Sequence, residues 1–316
     1  MARKQRNFFT AVAVAVVFGM VGAANVGSAQ AAGLTDRWNN FWNSVISSAP
    51  ATTSTPSNTP TPAPAAQPTT TQKYAALGDS VAAGVGLTPV TPATGTDAQC
   101  GRSTESYAYT VSNSLGKPLT HAACSGATVG DLFTKQGVSG PNITSQLDTA
   151  FAGGKPSLIT ITAGANDAHW DSFIRACYAT SCSNASATFL ANSYLTALQA
   201  KLHLAFTAIK LRSGGNPPTT IVTGYYNPLS ASCATMQNNI TAEEITWLTA
   251  ETNALNQTIS NVSSQYSFVK FVPIDFSGHD ICSNDSWVQA PSATAPFHPT
   301  AAGQRAIAQS ILAAAR

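Results

Sequence analysis

Short, unbroken apolar runs alternate with longer stretches of helical period through most of the chain. Residues 74–77, 158–163, 220–225 and 268–274 are apolar runs too short for helices, and they read as buried strands. Three of these strands meet a glycine, Gly78, Gly164 or Gly224, with polar residues beyond it. Between and after them, residues 103–115, 187–213, 242–263 and 301–314 carry apolar positions at helical spacing. Strands of this kind alternating with helices predict an α/β domain with a central parallel sheet covered on both faces. In such sheets ligands bind beyond the carboxyl ends of the strands, where the glycines stand.

The first 72 residues break the pattern. Arg3, Lys4 and Arg6 precede an apolar stretch over residues 8–26, and Ala29-Gln30-Ala31 has the small residues of a cleavage site. The run approaches the length of a membrane anchor, but the cleavage site directly after it favours a secretory signal peptide over residues 1–31. Residues 32–72 hold a short amphipathic helix, with Leu34, Trp38, Phe41, Trp42, Val45 and Ile46 on one face, and then a linker of Ala, Thr, Ser and Pro. The helix is expected to pack on the main domain or lie on a surface. Residues 73–316 form the main domain, long enough for a sizeable core.

Composition narrows the functions open to that domain. Charged residues are 9% of the chain, against about 25% in an average protein, and the net charge is +2. No cluster of Lys or Arg offers a nucleic-acid surface. Cys100, Cys124, Cys177, Cys182, Cys233 and Cys282 lie in the exported part, where an even count points to disulfides. Six cysteines allow 15 connectivities. No C-x-x-C spacing occurs and the histidines are scattered, so no metal or other cofactor is expected.

Four residues carry candidate chemistry, and each alone has an ordinary explanation. Ser80 follows the first strand in Gly78-Asp79-Ser80, where a serine often caps a helix. Gly126 lies in a turn. Asn166, in Gly164-Ala165-Asn166-Asp167 after the second strand, could serve its own backbone. His298 stands in Phe297-His298-Pro299-Thr300, where Pro299 suits the first position of the last helix.

Taken in order, Ser80, Gly126, Asn166 and His298 resemble the four signature residues of the SGNH/GDSL hydrolases, over the chain from about Tyr74 onward. The stretch Gly278-His279-Asp280-Ile281-Cys282, followed by Trp287, is similar to that of secreted actinobacterial-type lipases and esterases. The resemblance implies a three-layer α/β/α, flavodoxin-like fold and three sequential disulfides, Cys100–Cys124, Cys177–Cys182 and Cys233–Cys282. It implies that Ser80 attacks an ester carbonyl with His298 as its base. The oxyanion is then held by the backbone N–H groups of Ser80 and Gly126 and the side chain of Asn166.

The pattern departs from the family at Ala295, where an aspartate usually precedes the histidine by three residues. A main-chain carbonyl near Ala295 is therefore expected to orient His298, with Asp280 and Asp285 as alternatives. Asp79 and Asp167 are expected to brace turns. His121 and His203 read as structural, and His169 and His279 show no partner. The expected activity is hydrolysis of lipid or acyl esters by a secreted enzyme, free or held at the cell surface, a monomer making transient contact with lipid. A carbohydrate acetylesterase or a transacylase uses the same four residues. A non-catalytic surface module, tethered by the linker and the amphipathic helix, is a further alternative, although a binding module has no need of all four.

Overall fold

Five parallel strands form one sheet in the order β2-β1-β3-β4-β5. They are β1 (Tyr74–Gly78), β2 (Leu119–His121), β3 (Leu158–Thr162), β4 (Thr219–Thr223) and β5 (Val269–Val272). The computed structural model describes residues 72–89, 95–137, 143–231, 233 and 240–316, so the expectations for the signal peptide and for the amphipathic helix and linker fall outside the described residues. Every neighbouring pair is parallel, with Tyr74 beside Leu158 and Leu158 beside Thr219. The strand order is that of the flavodoxin-like fold, whose direction of winding reverses between β1 and β3 and opens a crevice there.

The helices are α1 (Ser80–Ala83), α2 (Gly95–Gln99), α3 (Tyr107–Leu115), α4 (Gln146–Phe151), α5 (Trp170–Ala179), α6 (Ala185–Arg212), α7 (Ala242–Ser263) and α8 (Ala301–Ala314), with a 3-10 turn at Gly130–Leu132. Right-handed crossovers put the β1–β2 connection on one face and the β3–β4 and β4–β5 connections on the other. Accordingly α3 packs on α8, and α6 packs on α7. Strands β1 and β3 are buried throughout, which is why they read as continuous apolar runs. Their threonines stay satisfied inside the core: Thr160 bonds the Tyr74 hydroxyl at 2.7 Å, and Thr162 bonds the Tyr107 hydroxyl at 2.9 Å and Thr223 at 2.7 Å.

Several boundaries differ from the sequence reading, each for a local reason. The helix expected over 103–115 starts at Tyr107, because Ser103 turns back on the loop after α1: its N–H bonds the Ala83 carbonyl at 2.8 Å and its hydroxyl bonds Thr88. The last strand stops at Val272, before Pro273, which has no N–H to give. The edge strand β2 has three half-buried residues and too little pattern to show in the sequence. Helix α8 is capped by Thr300, whose hydroxyl accepts from the Gly303 N–H, so Pro299 lies before the cap and not at the first helical position. Helix α7 has the bounds expected, and a reciprocal capping box between Thr241 and Glu244 fixes its start.

The six cysteines are bonded as Cys100–Cys124, Cys177–Cys182 and Cys233–Cys282. Among the described residues, no helix is long and apolar enough to cross a membrane.

Candidate active site

The site begins with a turn that only glycine can make. Gly78, the last residue of β1, has φ of +133°, and a Cβ there would stand 2.1 Å from the Thr162 carbonyl oxygen of β3. The chain then bends into α1. Asp79 is its N-cap, and its carboxylate accepts from the Val81 N–H at 2.9 Å. Ser80 is thus the first residue of the helix and not its cap. Gln304 of α8 reaches across and donates to the Val81 carbonyl at 2.8 Å while accepting from the Tyr107 N–H at 2.8 Å, which locks the last helix to α1 and α3.

His298, just before α8, meets Ser80 across the crevice. Its Nε2 lies 2.8 Å from Ser80 Oγ, and its Nδ1 lies 3.0 Å from the Pro296 carbonyl oxygen. A carbonyl only accepts, so Nδ1 carries the proton of the neutral ring and Nε2 is left as an acceptor facing the serine hydroxyl. Burial pushes the His298 pKa below its ordinary value, and the Pro296 and Ala295 carbonyls act against that shift. The carboxylates considered from sequence lie elsewhere. Asp280 accepts from the Cys282 N–H at 2.8 Å, and Asp285 pairs with His279 at 3.2 Å.

The segment that carries His298 is held by its neighbours. Gln289 exchanges backbone bonds with it, donating to the His298 carbonyl at 2.7 Å and accepting from the Phe297 N–H at 3.0 Å. The Gln289 side chain donates to the carbonyls of Val85 at 3.0 Å and Pro299 at 2.9 Å. Phe297 has φ of +66°, a left-handed conformation unusual for an aromatic residue, and the Tyr226 hydroxyl donates to its carbonyl at 2.7 Å.

Gly126 and Asn166 line the same cavity as Ser80 and His298. Gly126 has φ of +77°. Among the described residues, neither its N–H nor that of Ser80 meets an acceptor. One N–H of the Asn166 side chain donates to the Ala127 carbonyl at 2.8 Å, which orients the amide and leaves the second for a ligand. Asp167 ties the two turns together: its carboxylate accepts from the Val129 N–H at 2.8 Å and from Lys201 Nζ at 2.7 Å.

The bracing roles expected of Asp79 and Asp167 correspond to these bonds. His169 packs against the Tyr194 ring in a tilted arrangement, His279 stacks on Trp287, and His203 bonds the Tyr266 hydroxyl at 2.9 Å. His121 is held by Ser106 at 3.1 Å, and burial pushes its pKa down to about 3. Cys233, Asp280 and Cys282 cluster closely, but the two sulfurs are bonded to each other, so neither is a thiolate ligand.

Sequence reasoning missed the walls of the cavity and much of its floor. The cavity holds about 360 Å³ and is lined by Trp170 and Ile174 of α5, Leu255 of α7, Val85, Tyr226 and Phe297. Tyr225, at the end of β4, forms part of the floor. Its hydroxyl donates to Asp79 at 2.5 Å and accepts from the Ala165 N–H at 3.1 Å. Asp79 is buried, which raises its pKa to about 7 against the hydrogen bonds from Tyr225, Val81 and Ala82.

A serine–histidine pair at the switch point of a flavodoxin-like sheet, beside unpaired backbone N–H groups and an apolar cavity, is the equipment of a serine ester hydrolase. Known proteins place the chain in the same class. Residues 76–306 match the GDSL-like Lipase/Acylhydrolase family. The chain is 30% identical over 241 residues to a lipase of Streptomyces rimosus, covering 73% of this chain and 82% of that one. It is 28% identical over 265 residues to Lipase 2 of Streptomyces coelicolor, covering 77% and 86%. The crystal structure of the extracellular lipase from Streptomyces rimosus superposes with a TM-score of 0.63 at 27% identity, covering 77% of this chain and 99% of that chain. Phospholipase A1 from Streptomyces albidoflavus NA297 superposes with a TM-score of 0.62 at 26% identity, over the same shares. The chain belongs to the GDSL-like Lipase/Acylhydrolase family. Its activity is that of a carboxylic ester hydrolase of the lipase/esterase kind.

Proposed function

We propose that this hydrolase is secreted and cleaves acyl esters through a Ser80–His298 dyad, with the Pro296 carbonyl as the orienting acceptor. The observation that carries the mechanism is the alignment of Ser80 Oγ, His298 Nε2, His298 Nδ1 and the Pro296 oxygen, with distances of 2.8 Å and 3.0 Å at its two ends. Nε2 takes the serine proton as Oγ bonds to the ester carbonyl carbon. The resulting oxyanion is received by the N–H groups of Ser80 and Gly126 and by the free N–H of Asn166. When the carbonyl re-forms, the ester C–O bond breaks and the imidazolium returns its proton to the departing alkoxide. Water then repeats the sequence on the acyl-serine, with His298 again as base, and releases the acid and free Ser80. Each oxyanion donor contributes about 3–4 kcal/mol to the barrier reduction. A backbone carbonyl fixes the tautomer as well as an aspartate does, but offers the imidazolium only a dipole in place of a full charge.

The apolar lining, Trp170, Ile174, Leu255 and Phe297 beside Ser80, supports an acyl chain longer than acetyl as the group held. Export is supported by the basic and apolar N-terminal pattern, by the three disulfides, and by the extracellular nature of the Streptomyces rimosus lipase. Hydrolysis of p-nitrophenyl esters from acetyl to palmitoyl, by the mature chain and its Ser80→Ala variant, tests the reading. Hydrolysis that disappears in the variant and is strongest above acetyl supports it. Undiminished hydrolysis in the variant refutes the mechanism, and a strict preference for acetyl refutes the acyl-chain assignment.

A further inference from the structure

We infer that Tyr225 is a positioning residue for the oxyanion hole, its hydroxyl bridging the carboxyl group beside the nucleophile to the backbone N–H beside Asn166. The inference rests on Ser80 and Asn166 acting as proposed above. One phenolic oxygen joins turns from different strands. It donates to Asp79 Oδ2 at 2.5 Å, and the other oxygen of that carboxyl group accepts the Val81 N–H in the first turn of α1. It also accepts from the N–H of Ala165, the residue before Asn166, at 3.1 Å.

Tyr225 itself cannot follow a drifting turn. Asn256 of α7 clasps its backbone, accepting from the Tyr225 N–H at 2.7 Å and donating to its carbonyl at 2.7 Å. The carboxyl ends of β1, β3 and β4 are therefore referred to one fixed point, and the Ser80 and Asn166 donors depend on its separation from each. Asp79 and Tyr225 are 1% and 7% exposed, so water does not readily replace either bond.

Oxyanion donors work at about 2.7–3.1 Å from the developing oxyanion, and they act on charge that develops in the transition state. Loss of the bridge should therefore lower kcat and leave substrate binding alone. Tyr225→Phe keeps the ring and removes the hydroxyl. The expected result is a fall in kcat of about 10–100-fold with KM within about twofold, in protein that melts cooperatively. The inhibition constant of an alkylboronic acid, which forms a tetrahedral adduct on serine, should rise by the same factor as kcat falls.

Unchanged kcat overturns the inference. So does a rise in KM with kcat intact, which makes Tyr225 only a wall of the cavity. If Tyr225→Phe does not fold, Asn256→Ala is read by the same criteria, since it leaves the hydroxyl in place and releases the backbone that aims it. Ser80→Ala run in parallel separates the two layers: full activity there defeats the Ser80 mechanism, and the Tyr225 inference with it.

Discussion

The Nδ1 atom of His298 donates to the carbonyl of Pro296, two residues earlier in the chain, at 3.0 Å. The ring is thus held by its own loop, and in the proposed mechanism this carbonyl takes the place of a distant acid. Asp280 and Asp285 are engaged with Cys282 and His279. Asp280→Asn and Asp285→Asn should each keep most of the wild-type kcat/KM on a p-nitrophenyl ester. A loss of several orders of magnitude in either would show that a carboxylate orients His298 during turnover.

On the proposed mechanism the same ring should set the acid limit of activity. Only neutral imidazole can accept the Ser80 proton, and burial lowers the His298 pKa from its ordinary 6.5. The acid limb of kcat/KM against pH should therefore have its midpoint below 6.5, with activity rising as His298 loses its proton. A midpoint clearly above 6.5 would mean that a charge outweighs desolvation at the ring.

Asp79 makes stability depend on pH in the opposite sense to an ordinary salt-bridged carboxylate. Its folded pKa is raised by burial from 3.8 to about 7. Its contribution to stability is thus fully present below pH 3.8 and is lost as pH rises towards about 7. Asp79→Asn, which cannot ionise, should become more stable relative to wild type as pH rises across that window. The scale is on the order of 1 kcal/mol per unit of pKa difference. Urea melts of both proteins at several pH values measure it, and a difference independent of pH would contradict the assignment.

The three disulfides should differ in what they contribute. Cys233 and Cys282 are 49 positions apart, whereas Cys177 and Cys182 are 5 apart. On loop-closure entropy, removing the first pair costs about 4 kcal/mol and removing the second about 2 kcal/mol. Paired Cys→Ala variants in urea should keep that order.

How much of this was legible in the residues depended on whether chemistry or shape was at stake. Strands β1 and β3 are buried on both faces, so they wrote themselves as apolar runs. Ser80, Gly126, Asn166 and His298 each follow a recognisable punctuation of glycine, proline or polar residues. Helix α5 escaped because it follows His169, a non-glycine residue at φ of +52°, and begins without a side-chain cap bond. Its Trp170 and Ile174 form a cavity wall only through tertiary packing. Tyr225 reads as one more aromatic after a strand, because its partners, Asp79 and Ala165, are 146 and 60 positions away. Ala295 announced the missing aspartate, but which carbonyl replaces it depends on the conformation of the loop.

Ser80 and His298 are separated by 218 positions, one at the exit of the first strand and the other at the entrance of the last helix. Gln304 of α8 donates to the Val81 carbonyl of α1, so the docking of α8 and the placement of α1 support each other. On the proposed Ser80–His298 mechanism, ester hydrolysis should therefore require α8 to be docked. Recovery of activity after denaturation should then report the docking of the last helix against the exit of the first strand, and not formation of the sheet alone.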